Sequence, residues 1–199
     1  MAQTFRRRNL PHLYDSEGIY FITYCLADTF RAGINKNIYR NTYKCFDEFK
    51  LHFLKYDRQL HSFDSGYNYL AEKHMADICK ITLHYPDNKE YNLICYTIMP
   101  NHIHLVFELM NGNRGISKIM QGIKGVSARR CNHLLKRKGK FWQDESYDRW
   151  VRDDIELYFV IRYVLLNPVT AGLINDWEKW EYTYCQEEFN CVVMGWAYM

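Results

Sequence analysis

No stretch of the chain is apolar for long enough to cross a bilayer, so a membrane-spanning helix is not expected. There is also no Cys-x-x-Cys, which argues against a zinc ribbon or a dithiol redox site. The seven cysteines are an odd number and lie far apart, Cys185 and Cys191 being the nearest pair. They read as reduced thiols, several of them packed as small hydrophobes in a cytoplasmic protein. Met1 to Arg8 carries basic residues but no apolar core after them, so it does not read as a secretion signal. Nor is there a strong charge of either sign. The net charge is +3, so where the charges sit matters more than their sum.

What is present is enough for a packed domain. The 199 residues are 48% hydrophobic and 17% aromatic, which suits one domain with extensions. The expected layout is a single domain over 1–199. It has a basic arm over 1–17, carrying Arg6, Arg7 and Arg8, and an aromatic-rich extension from about 176 to 199. No internal repeat and no clear linker interrupts it. Ile19–Leu26 is rich in β-branched and aromatic residues and reads as a central strand, apolar on both faces. Residues 36–57 and 70–84 carry apolar residues at helical spacing. Pro86-Asp87-Asn88 breaks the chain. Tyr91–Leu109 reads as two strands or one bent strand, with a bulge at Pro100-Asn101 helping to aim the residues just after it.

The segment 114–140 is the most biased part of the chain. It has nine Lys and Arg residues and no Asp or Glu. Ile116, Ile119, Met120, Ile123 and Val126 give it a helical apolar stripe. A charge run is most often a solvated face, but nine cations without one anion favour a polyanion-binding surface. The expected nucleic-acid contacts are Lys118, Lys124, Arg129, Arg130, Lys136, Arg137, Lys138 and Lys140, with Arg6, Arg7 and Arg8 on the arm. Trp142 and Gln143 come directly after, and an aromatic there can stack on an unpaired base. Packing Trp142 against the sheet is an equally good use of it. Asp153 with Glu156 three residues on marks a helix start. That helix is expected to end near Asn167-Pro168. The tail past Trp177 reads as an irregular layer over the core.

The chemistry centres on Pro100-Asn101-His102-Ile103-His104-Leu105. Side chains alternate along a strand, so His102 and His104 share one face while Ile103, Leu105 and Phe107 enter a core. Two imidazoles on a rigid strand are most of a small metal site. On the last helix Tyr163 and Asn167 are four residues apart and share a face. Tyr163 offers a phenol as nucleophile, and Asn167 an oxygen ligand. Spacing alone does not bring these two pairs together.

His102-Ile103-His104 resembles the HUH motif (His, hydrophobic, His) of single-tyrosine transposases of the IS200-like type. More closely, the chain resembles REP-associated tyrosine transposases, which act on repetitive extragenic palindromes. The likeness runs through Arg6–His12, Ile19–Thr23, Ile123–Ser127, Phe141-Trp142-Gln143, Tyr147-Asp148 and Arg152-Asp153. It ends at Arg162–Val169 and Ala171-Gly172-Leu173. The resemblance implies an α+β, ferredoxin-like antiparallel sheet with helices packed on one face. It places the metal ligands at His102, His104 and Asn167 and the nucleophile at Tyr163. It also implies Mg²⁺ or Mn²⁺ as cofactor and nicking of single-stranded DNA near a hairpin, through a 5′-phosphotyrosine with a free 3′-OH. The expected partner is single-stranded or hairpin DNA, bound by a cytoplasmic, nucleoid-associated monomer or homodimer. Two other readings stand beside it: a hairpin-binding protein without useful catalysis, and a phosphoesterase with an unrelated His-x-His site.

Overall fold

The structure is a computed structural model that describes residues 4–7, 11–14, 17–27, 29, 46–61 and 66–189. Strands β1 (Thr4–Arg7) and β2 (Pro11–Tyr14) pair antiparallel into a two-stranded ribbon. The basic arm is therefore hairpin-like rather than a bare tail. The side chains of Arg6 and Arg7, and all of Arg8, lie outside the described residues, as does 36–45 of the first expected helix.

The main sheet has five antiparallel strands. They are β3 (Gly18–Cys25), β4 (Tyr91–Ile98), β5 (His102–Leu109), β6 (Tyr147–Trp150) and β7 (Thr183–Cys185). The spatial order is β6-β3-β5-β4-β7. Without β7 this is the order of a ferredoxin-like α+β fold, in which two crossovers flank a central hairpin. Four α-helices lie among the described residues: α1 (Phe46–Leu60), α2 (Lys73–His84), α3 (Ile116–Leu134) and α4 (Asp154–Thr170).

Alternation along β3 and β5 explains how these helices divide. Tyr20, Ile22 and Tyr24 of β3 join Ile103, Leu105 and Phe107 of β5 on one face, packed against α2 and α3 through Met75, Cys79, Ile119 and Ile123. Phe21 and Cys25 join Val106 on the other face, packed against α1 and α4 through Phe53, Tyr56, Val160 and Ile161. A strand apolar on both faces must be covered on both. The expectation of helices on one face thus accounts for α2 and α3, and α1 and α4 close the opposite face.

Three local expectations are adjusted. Residues 99–101 form the turn between β4 and β5, closed by Met99 N–H donating to the His102 carbonyl (2.9 Å). The register shift falls instead within β4, between Leu93 and Cys95. Helix α4 runs through Pro168 to Thr170, at the cost of the hydrogen bond that the proline lacks. The tail is partly regular, because Thr183–Cys185 pairs with β4 as the edge strand.

Candidate metal and tyrosine site

The histidine pair lies at the turn end of β5. Cys25 pairs with His102 and Thr23 with His104, which sets both imidazoles on the face covered by α1 and α4. Each ring is fixed by its Nδ1. His102 Nδ1 lies 2.6 Å from Asn101 Oδ1, and an amide oxygen can only accept, so that nitrogen carries the proton. His104 Nδ1 lies 2.7 Å from Thr23 Oγ1. Asn101 is held in turn, its Nδ2 donating to the Leu60 carbonyl at 3.0 Å. Both Nε2 atoms then point at one place, 3.0 Å apart.

Asp57 of α1 completes the cluster. One donor atom from each of Asp57, His102 and His104 lies within 4.8 Å of the others, and all three residues are buried. This donor set fits a divalent ion. Adjacent ligands about 2.1 Å from an octahedral ion stand about 3 Å apart, the spacing of the two imidazole nitrogens. The charge states suit it as well. Burial, with each neighbouring imidazole, pushes His102 well below its ordinary pKa, and burial lowers His104 against the pull of Asp57. Burial also works to raise Asp57, but the hydrogen bond and charge of His104, with His61 and His102, outweigh it and hold the carboxyl at about 2. At neutral pH the cluster is therefore two neutral imidazoles and one carboxylate, the protonation state in which these groups bind metal.

Tyr163 and Asn167 reach this cluster from α4. The Tyr163 ring packs edge-on against Phe53 (4.7 Å between centroids) and His104 (5.2 Å). Its hydroxyl lies 3.3 Å from His104 Nε2 and accepts from Asn167 Nδ2 at 2.9 Å. Burial, with Asp57 close by, raises the phenol well above its ordinary pKa, and the Asn167 hydrogen bond opposes the rise. Asn167 is buried beside the cluster. Its Nδ2 lies 3.3 Å from Asp57 Oδ2, and its Oδ1 is 3.2 Å from His61 Nε2. His61 also meets Asp57 Oδ2 at 3.1 Å. The fold therefore brings together His102, His104, Tyr163 and Asn167. It adds Asp57 and His61, which the sequence reading missed. The available signal was an acid on the apolar stripe of α1, four residues after Phe53 and three before Leu60.

The predicted nucleic-acid contacts are placed elsewhere. Helix α3 covers the sheet face opposite the histidines. Lys118, Arg129, Arg130, Lys136, Lys138 and Lys140 are exposed, and Arg137 is half-buried. Two expectations need correction. Trp142 is a core residue, packed on Tyr24 (4.8 Å between centroids), and its Nε1 donates to Ser127 Oγ at 2.9 Å. Freeing that N–H from its partner costs about 1–3 kcal/mol, so the ring is fixed inside rather than offered to a base. Lys124 donates inward, to the Asp144 carbonyl (3.2 Å) and Ser146 Oγ (3.1 Å), and burial pulls its pKa down to about 8. With Gln143 and Lys140 these two residues line a groove of about 600 Å³ between α3 and the chain at 139–148.

Known proteins resemble the chain in both sequence and fold. It is similar to the REP-associated tyrosine transposase of Escherichia coli, 21% identical over 96 residues that cover 48% of this chain and 55% of that protein. It also resembles a Haemophilus influenzae protein provisionally given the same name, 26% identical over 109 residues that cover 50% of this chain and 60% of the relative. The chain thus spans somewhat over half the length of the two curated relatives. In fold it is similar to a REP-associated tyrosine transposase solved bound to a REP hairpin. That likeness has a TM-score of 0.52 and 17% identity, and covers 92% of this chain and 82% of the other. The family described as transposase, IS200-like, matches residues 64–165. That span includes His102, His104 and Tyr163 and stops short of Asn167. With half of its length matched to that family, the chain belongs to the IS200-like transposases.

Proposed function

We propose that this protein nicks single-stranded DNA beside a hairpin and rejoins it by strand transfer, with Tyr163 as nucleophile. One observation carries the reading. A phenol stands 3.3 Å from one of two converging imidazole nitrogens, with a buried carboxylate beside them. His102, His104 and Asp57 are the residues that would hold a Mg²⁺ or Mn²⁺ ion, with Asn167 adding its amide oxygen. When bound, such an ion polarises a phosphodiester and offsets charge on the departing oxygen.

The chain's own residues supply the rest. Phe53 and His104 hold the Tyr163 ring in place, and Asn167 Nδ2 directs a hydrogen bond at the hydroxyl. That bond favours the phenolate, the form that attacks. The phenol proton leaves toward the Asp57 carboxylate, which is hydrogen-bonded to the phenol and has a second oxygen to spare when one holds the ion. A bond forms from Tyr163 Oη to phosphorus, and the bond from phosphorus to the 3′ oxygen breaks. That oxygen takes a proton and departs as a free 3′-OH, while the 5′ phosphate remains on Tyr163. The covalent link conserves the energy of the cleaved bond, which suits rejoining better than hydrolysis.

Incubation with labelled hairpin DNA carrying single-stranded flanks, in the presence of Mn²⁺, is expected to give an adduct that survives SDS. Tyr163→Phe should abolish the adduct and leave hairpin binding within about twofold. An adduct formed at the normal level by that variant would remove Tyr163 from its role. Tight hairpin binding without any adduct in the unaltered protein would favour a binding protein over an enzyme.

A further inference from the structure

A second aromatic feature lies outside the tyrosine site. The rings of Tyr67 and Tyr69 are stacked, with centroids 4.6 Å apart and planes within 10°. Tyr69 continues onto Phe141 at 6.0 Å and 18°. The stack is anchored at its inner end, where Phe141 is buried against Trp142 at 5.0 Å. At its outer end Tyr67 is 48% exposed. The guanidinium of Arg137 stands 5.7 Å from the Tyr67 ring centre and 5.4 Å from that of Tyr69. Lys136, Lys138 and Lys140 flank it and are exposed.

Its position matters as much as its make-up. The short turn Tyr69–Ala71 is tied to the β4–β5 turn, Leu70 N–H donating to the Pro100 carbonyl at 3.0 Å. Pro100 lies two residues before His102. On the other side, Ala27 N–H donates to the Phe141 carbonyl at 2.9 Å, just past the end of β3. The stack therefore sits at the end of the sheet where the histidines are. It lies between the basic end of α3 on one face and Tyr163 on the other. A strand that joins the two faces around this end meets the stack.

We infer that Tyr67 and Tyr69 form a stacking platform for one unpaired base of a single strand running between the basic end of α3 and Tyr163, with Arg137 at the adjoining phosphate. The inference rests on the proposed single-strand chemistry. A flat exposed ring in a cationic setting selects a planar group attached to an anion with its face free, which an unpaired nucleotide offers and one stacked within a duplex does not. Stacking of this kind tolerates any base.

The test uses the full chain and hairpin DNA with or without single-stranded flanks, carrying 2-aminopurine at successive flank positions. Binding should quench the fluorescence strongly at one or two positions. Tyr67→Ala should remove that quenching and weaken binding of flanked hairpins about 5- to 150-fold, the range that loss of one stacked base produces. It should leave blunt hairpins within twofold. Tyr67→Trp should restore both quenching and affinity, which a merely structural role for the ring would not do. Adduct formation is measured in the same samples. If the unaltered protein forms the adduct but Tyr67→Ala binds and quenches as before, the platform is wrong and the nicking reading stands. If no adduct forms and the quenching is still lost in Tyr67→Ala, the platform stands and the nicking reading fails. Failure to bind flanked DNA better than blunt DNA overturns the platform outright.

Discussion

His102 and His104 sit without charge in a buried site, and that has a consequence for stability. Both folded pKa values are lowered, whereas an unfolded histidine titrates near 6.5. As pH falls below about 6.5 the unfolded chain takes up protons that the folded one does not, so stability falls. Asp57, held at about 2, contributes stability that is present above the ordinary carboxylate value and is lost as pH drops toward 2. The metal-free protein should therefore melt at a nearly constant temperature between pH 7 and 8 and progressively lower below 6.5. His102→Gln should flatten the first part of that fall, and thermal melts across pH check it. Asp57 has a second job on the proposed reading. Asp57→Asn keeps the shape and removes the charge, and Mn²⁺ titration by calorimetry should show affinity reduced tenfold or more, because a carboxylate is the hard ligand such ions prefer. Unchanged affinity would take Asp57 out of the ligand set. These residues differed in legibility for a physical reason. The two histidines are two apart on one strand, so local periodicity aligned them. Asp57 comes from α1, 45 residues before His102, beside Lys55 and Arg58, and reads as solvated until the helix is docked.

Helix α3 shows how an element's end can be placed for use at some cost. Lys136 has φ +50, the left-handed conformation that side chains disfavour. Around it Lys136 N–H donates to the His133 carbonyl and Arg137 N–H to the Asn132 carbonyl, at 3.1 and 2.9 Å. This is a Schellman cap with lysine where glycine is usual. The cap turns the chain so that Arg137 faces Tyr67 and Tyr69. Lys136→Gly should relieve roughly 1 kcal/mol of strain and raise the melting temperature by about 2–4 °C, measurable by calorimetry, while binding of flanked DNA weakens only by the loss of one charge. Gly18 is the reverse case. Its φ is +108, and a Cβ there would stand 2.6 Å from Trp150 Nε1, so Gly18→Ala should cost about 1–3 kcal/mol and lower the melting temperature. Elements with a strong local signal are legible: β3 lies close to where its run of β-branched and aromatic residues puts it, and β5, α2 and α3 close to where alternation or helical spacing puts them. Elements defined by a partner were not. Thr183–Cys185 is three residues long and becomes a strand only because β4 offers it an edge. Helix α4 continues past its expected stop because the proline bias at Asn167 is weaker than the burial of Val164, Leu165 and Pro168.

Across the whole molecule, the sheet separates two kinds of surface. The proposed nicking residues lie under α1 and α4, and the exposed cations of 114–140 lie on and after α3, on the other face. The net charge of +3 hides this, since the acids of the chain lie outside 114–140. If DNA spans both surfaces, affinity and cleavage should come apart under salt. Binding to phosphates releases counterions, so the slope of log affinity against log salt counts the contacts. Combining Arg129→Gln, Arg130→Gln and Lys138→Gln removes three exposed cations and should lower that slope by about 2–3. Tyr163→Phe should leave the slope unchanged. At low salt and saturating DNA the triple variant should still form the covalent adduct, because none of its three positions lies on the face that carries Tyr163 and the histidines. Filter binding from about 50 to 200 mM salt, with adduct yield scored in parallel, separates the two effects. An unchanged slope would mean that the strand does not run along α3 and reaches Tyr163 by another route. A slope that falls together with the saturated adduct yield would mean that the two faces act as one site, against the division the sheet imposes.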